Sequence, residues 1–201
     1  MNSLHQPYLD QGEIIYAAKI DSVISRSGYK KVQLDIYSNA QNIDFLRVYY
    51  NDFLDSVDVS IEGKRGVFNL VIPNLIEKKY VFNTISYDMY KNKSLSFESV
   101  GTVYGDRYNS TLLNRKITSI TRKDDSVVIN WGDPLNKMEK CEFIYQTTDG
   151  EVVVLNILKD VDQTIIDNYG IGIKYRTAFI PEENALELFY TKYTDNIPAL
   201  L

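Results

Sequence analysis

The chain has 201 residues, 44% of them hydrophobic and 24% charged, with a net charge of −5. That length holds one large domain or two of about 100 residues, and the composition excludes a disordered chain. The acidity, with no basic block, removes nucleic acid as a partner, because no counterion-release drive exists, and the longest apolar runs fall short of the ~18 residues of a membrane-spanning helix.

In chain order, residues 1–13 form a polar leader with Pro7 and Gly12; the opening MNSLHQPYLD lacks the apolar segment of a signal peptide. From Ile14 the pattern changes to short runs rich in Val, Ile, Tyr and Phe, separated by turn residues at intervals of about ten, which is the spacing of an all-β sandwich or barrel. Strands are expected over Ala18–Ser25, Lys31–Tyr37, Phe45–Asn51, Ser56–Ile61, Val67–Ile72, Lys79–Asp88 and Phe97–Tyr104. A non-alternating stretch, GDRYNSTLLNR (105–115), reads as a linker, partly apolar through Leu112 and Leu113. Seven more strands are expected over Ile117–Lys123, Ser126–Trp131, Lys140–Thr147, Glu151–Leu158, Gln163–Ile166, Ile173–Phe179 and Leu188–Thr194, with Gly170-Ile171-Gly172 as a turn before the strand of Tyr175. The expected domains are 14–104 and 116–201.

The two halves repeat. Val32-Gln-Leu-Asp-Ile36 and Val127-Val-Ile-Asn-Trp131 both place apolar residues at first, third and fifth positions, so Ile36 and Trp131 share a place on a core-facing side. Asn74-Leu75 followed by Tyr80 parallels Tyr169 to Tyr175, each with an anchor, a turn and a tyrosine opening a long strand. This pattern resembles the fibronectin type III fold, with Trp131 and Tyr175 matching in the second half and Leu75 and Tyr80 in the first, where Ile36 replaces the tryptophan. The expected fold is thus all-β: two tandem seven-stranded immunoglobulin/fibronectin type III-like β-sandwiches. A wider resemblance lies in YAAKIDSV (16–23), VYGDRYNSTLLNR (103–115) and YRTAFIPEENALELFYTKY (175–193), which look like signature stretches of a Bacteroidetes surface lipoprotein family described only as a domain of unknown function. That resemblance implies export to the cell surface or outer membrane, with membrane attachment only through an N-terminal lipidated cysteine just upstream of a leader like NSLHQPYLDQGE. Met1 stands there in this chain. It implies no catalytic residues.

Chemistry is constrained by scarcity. One histidine, His5, and one cysteine, Cys141, rule out an intrachain disulfide and leave no material for a Ser-His-Asp or Cys-His arrangement in a packed site or for a His/Cys zinc site. Asp124, Asp125 and Asp133, or Asp160, Asp162 and Asp167, lack the spacing of a calcium loop. No cofactor or metal is expected, and no enzyme. Asn92-Lys-Ser94 and Asn109-Ser-Thr111 match the N-glycosylation pattern, which is idle in a bacterial chain. What remains is tyrosine, 16 residues of it. With Leu46, Val48 and Tyr50 inward, Phe45 and Tyr49 face outward, and Phe53, Tyr87 and Tyr90 lie in or near loops. Tyr49, Phe53, Tyr87 and Tyr90 are therefore candidate ligand-binding rings, for a surface glycan or an envelope protein, with Asn51, Asp52, Asn92 and Lys93 available to hydrogen-bond. Three Asp-Ser-Val tripeptides fit strand starts, and the family resemblance makes Ser22, Ser56 and Ser126 candidate O-glycosylation acceptors. The expected role is a non-catalytic cell-surface module pair acting as scaffold, spacer or partner-binding protein, accessory to glycan handling. A carbohydrate-binding protein is the alternative, and a glycoside hydrolase a third reading that needs two carboxylates across a cleft.

Overall fold

The computed structural model describes residues 15–124 and 126–201. The leader, His5 and Asp125 lie outside them. The chain divides into two compact units, one of Met1–Arg26 and Lys30–Val103, the other of Ser27–Tyr29 and Tyr104–Leu201. Among the described residues no helix is long and apolar enough to cross a membrane.

The first unit holds β1 (Ser22–Gly28), β2 (Lys31–Ser38), β3 (Phe45–Tyr50), β4 (Asp55–Ser60), β5 (Gly66–Ile72), β6 (Lys79–Tyr87) and β7 (Phe97–Thr102). They form a three-stranded sheet, β1-β2-β5, and a four-stranded sheet, β4-β3-β6-β7. Strand alternation creates the core: Val32, Leu34 and Ile36 of β2, Leu46 and Val48 of β3 and Phe82 of β6 are all fully buried. Each such side chain contributes roughly 2 kcal/mol by leaving water. The Tyr80 hydroxyl donates to the Ile76 carbonyl at 3.1 Å, the tie that pins the entry of the sixth strand in sandwiches of this kind.

The second unit opens with a short helix, α1 (Asp106–Thr111), inside the stretch read as a linker, and continues with β8 (Ile117–Lys123), β9 (Ser126–Trp131), β10 (Met138–Thr147), β11 (Val152–Leu158), β12 (Gln163–Asp167), β13 (Tyr169–Phe179) and β14 (Phe189–Tyr190). Its sheets are β12-β9-β8 and β11-β10-β13-β14. With each strand numbered from the start of its unit, the orders coincide: first, second and fifth strands in one sheet, fourth, third, sixth and seventh in the other. Both units are fibronectin type III-like sandwiches. Trp131 packs edge-on against Phe143 (6.1 Å) and Tyr175 (6.2 Å), and its indole N–H donates to Thr164 Oγ1 at 2.9 Å.

Three expectations need correction. Gly170-Ile171-Gly172 is not a turn but part of β13, at two register irregularities opposite β10. A Cβ on Gly170 would stand 2.8 Å from the carbonyl oxygens of Gln146 and Thr147, so glycine there lets the bulged backbone approach its neighbour. Consequently the tyrosine opening the long strand is Tyr169, not Tyr175. Tyr169 stacks on Tyr145 at 5.7 Å as Tyr80 packs on Tyr50 at 6.4 Å, whereas Tyr175 lies mid-strand opposite Phe143. The strand expected over Leu188–Thr194 shrinks to two residues, with a separate bridge between Tyr175 and Thr194.

Candidate functional site

Because Leu46 and Val48 point into the core, Phe45, Arg47 and Tyr49 stand on the outer face of the four-stranded sheet of the first unit. The register sets Phe45 opposite Tyr87, and Arg47 opposite Asp58. Phe45 and Tyr87 stack face to face, 4.6 Å apart and 2° from parallel. Tyr49 reaches Tyr87, hydroxyl to hydroxyl, at 3.4 Å, and its ring lies 5.2 Å from Phe53. Arg47 grips Asp58 through two parallel bonds of 2.6 and 2.7 Å, and its guanidinium stands 5.7 Å from Phe45 and 5.8 Å from Tyr87. The Lys91 ammonium lies 5.2 Å from the Phe45 ring. Rings and cations thus alternate across one sheet face.

The charges follow from these contacts. Hydrogen bonds from Arg47 hold Asp58 below its ordinary carboxylate value and Arg47 above its own. Burial, then the bond to Tyr49, pushes Tyr87 up to about 12. The bond from Tyr87, aided by Arg47, lowers Tyr49. Asp58 is therefore kept ionised, the opposite of what a general acid requires.

Phe53 sits on a turn of Asn51, Asp52 and Phe53, all in the left-handed region (φ 49°, 54° and 66°). Asn and Asp tolerate that conformation, but a bulky ring does so at a cost of about 1–2 kcal/mol. The turn holds Phe53 beside Tyr49 with 55% of its surface exposed.

Of the four candidate rings, Tyr49, Phe53 and Tyr87 come together. Tyr90 does not join them. It is 77% exposed and lines a cleft of about 390 Å³ with Ile43, Asp44, Glu62, Asp88 and Met89. Asp88 accepts from the Tyr90 and Asn92 backbone and from the Asn92 side chain, each at 2.9 Å, and these bonds, that of the Asn92 side chain foremost, hold it below its ordinary value. Asn51 is similarly engaged, bonded to Asp55 at 2.6 Å and Lys78 at 2.9 Å. Of the three serines, Ser56 is exposed and stands opposite Tyr49; Ser22 is half-buried where β1 begins; Ser126 is half-buried and donates to the Lys123 carbonyl at 3.0 Å.

Sequence reasoning missed Arg47, Asp58 and Lys91 as parts of this face. Alternation alone could have found Arg47, which lies between the outward Phe45 and Tyr49. Elsewhere, Cys141 is buried, and burial pushes its thiol up, away from reactivity. Among the described residues no three His, Cys, Asp or Glu side chains converge as metal ligands.

No curated protein matches this chain. Similar solved structures include the FN1–FN3 domains of chicken CNTN1, at 12% identity and a TM-score of 0.44 over 91% of this chain and 65% of that one. A two-domain fibronectin type III segment of chicken tenascin matches at 12% identity and a TM-score of 0.35, over 88% of this chain and 97% of that one. The central fibronectin III array of RIM-binding protein matches at 16% and 0.33, over 90% and 69%. The model of the DUF4998 family, a domain of unknown function, matches residues 1–189, and the chain belongs to that family.

Proposed function

We propose that this member of the DUF4998 family is a non-catalytic module pair of the bacterial cell surface, lipid-anchored in its full-length form, that holds a partner on its first unit. The observation that carries the reading is the outer face of the β4-β3-β6-β7 sheet, where Phe45, Tyr87, Tyr49 and Phe53 surround the Arg47–Asp58 pair. Aromatic rings and arginine are the residue types that dominate protein recognition. The left-handed backbone at Phe53 supports it, since strain of this kind concentrates where a side chain must be presented. The test is capture of envelope proteins by the wild-type chain and by folded Tyr49→Ala and Phe53→Ala variants. A partner retained by wild type and lost by both variants is expected; identical capture by all three sinks the proposal.

A carbohydrate ligand is the second reading, favoured by the open Tyr90 ring beside Asp44 and Glu62 in the cleft. The Phe45–Tyr87 stack fits it less well, because each ring already covers one face of the other. A glycan array with Tyr49→Ala and Tyr90→Ala separates these places. Binding lost only in Tyr90→Ala puts sugar in the cleft, binding lost only in Tyr49→Ala puts it on the sheet, and a blank array with folded protein removes sugar altogether.

A further inference from the structure

We propose that β11, the free edge of the second unit's four-stranded sheet, pairs with β11 of a second copy of this chain to make a two-fold dimer. Among the described residues β11 ends the strand order and hydrogen-bonds only to β10. An edge strand exposes unpaired backbone groups, and proteins normally blunt it with charge, proline or a bulge. β11 has none of these: residues 152–158 read VVVLNIL, with Val152, Val154 and Leu158 each more than half exposed. The corresponding edge of the first unit, β4, reads DSVDVS, and its Asp55 and Asp58 put on that edge the charge that discourages strand addition. Two repeats of one fold therefore treat the same edge in opposite ways.

The occupant follows from the pattern of β11 itself. The uncharged run is flanked by Glu151 on one side and Lys159 on the other. An antiparallel pairing centred on Leu155 sets Val152 opposite Leu158 of the second copy, Val153 opposite Ile157, and Glu151 opposite Lys159 at both ends. A two-fold interface must be complementary to itself, and this register meets that condition in shape and in charge. The backbone is in phase with it. Thr147 N donates to the Glu151 carbonyl (2.8 Å) and Lys159 N to the Glu139 carbonyl (3.1 Å), so the odd-numbered residues turn their amides and carbonyls to β10. Those of Val152, Val154, Asn156 and Leu158 point to the free edge, as an added antiparallel strand requires. Beside the edge lies a cleft of about 370 Å³ lined by Leu155, Ile157, Val161 and Ile165, where Leu155 of the second copy would seat. Lys159 also donates to Glu139 at 3.0 Å on the exposed surface, so its ammonium is already held near the strand end.

Sedimentation equilibrium of the whole chain, over a series reaching roughly millimolar concentration, tests this. Wild type is expected to dimerise, and Val154→Lys, which charges the edge, to remain monomeric throughout. Glu151→Lys and Lys159→Glu are exposed changes that each put like charges together at both ends; each is expected to weaken the dimer about tenfold, and the two combined to restore it. A wild type that stays monomeric overturns the proposal and leaves the edge to an unlike strand. A dimer that survives Val154→Lys, or a double reversal that fails to recover association while circular dichroism shows native strand content, overturns it too.

Discussion

The two units share a strand order and differ in what occupies equivalent places. Where the second strand of the first unit ends its buried apolar row in Ile36, followed by the buried Ser38, that of the second ends in Trp131. Around Trp131 the second unit builds a polar interior centred on a buried arginine. Arg115, fully buried, donates from Nε to the Gly132 carbonyl (2.6 Å) and from Nη1 to the Val161 carbonyl (3.0 Å), with its guanidinium 6.0 Å from the indole. Nearby, Asn114 Oδ1 accepts from Thr191 (2.6 Å) and Thr177 (3.2 Å). In the first unit Arg47 stands instead on the outer sheet face, among the Phe45 and Tyr87 rings. The lesson is that the repeat conserves alternation and topology, and the second unit adds a buried arginine to the arginine–carboxylate pair that both four-stranded sheets carry.

The sharpest way to break that contrast is in the cores. Trp131→Ala removes a ring with edge-on neighbours on two strands and should cost about 4 kcal/mol, against about 3 for Ile36→Ala. Urea unfolding followed by circular dichroism measures both. A smaller loss at Trp131 than at Ile36 would show that the indole is not what organises the second core. Next in size is Arg115→Met, which fills the space but orphans the Gly132 and Val161 carbonyls. The expected cost is about 3 kcal/mol, since each buried acceptor without a partner costs roughly 1–3. The chain has one tryptophan, so Trp131 fluorescence reports the second unit directly. An unchanged midpoint would mean that water takes over the carbonyls and the buried charge carries little.

These residues also show what the sequence could and could not say. The rows Val32-Leu34-Ile36 and Val127-Ile129-Trp131 were legible because a strand buried on one face must alternate; all six are buried, although in β9 Val128 between them is buried too. Arg115 was not legible. In sequence it is a charge at the end of a polar stretch, and its partners are backbone carbonyls that only the folded chain brings together. Gly170 and Gly172 misled for a related reason: glycine signals a turn locally, but here Gly170 answers a close approach of the β10 backbone and Gly172 makes room for the Tyr169, Ile197 and Phe143 side chains. On the sheet face, alternation turned Phe45 and Tyr49 outward, yet the stacking of Phe45 on Tyr87 depends on the register between β3 and β6, which no local pattern encodes. The split of Tyr90 from the other rings is likewise a matter of where the loop after β6 turns.

The finest distinction is electrostatic. Each four-stranded sheet carries an arginine bound to a carboxylate through two hydrogen bonds: Arg47 to Asp58 in the first unit, Arg176 to Glu142 (3.2 and 3.1 Å) in the second. Both carboxylates lie below their ordinary values. For Asp58 the cause is the bonds from Arg47. For Glu142 burial pushes upward, but hydrogen bonds from Tyr193 and Arg176 outweigh it. A group whose folded value is depressed stabilises the fold above its unfolded value, and that contribution disappears as pH falls through the folded one. Thermal stability should therefore fall between about pH 5 and 2, and Asp58→Asn and Glu142→Gln should each flatten part of that fall. The larger flattening is expected from Glu142→Gln, because its carboxylate is 14% exposed against 48% for Asp58, so solvent and salt screen it less. Melting temperatures of the three proteins at low and high salt decide this. If Asp58→Asn flattens the curve more, and still does so at high salt, the outer face of the first unit is held more firmly than its exposure implies, and the display surface is the more rigid of the two.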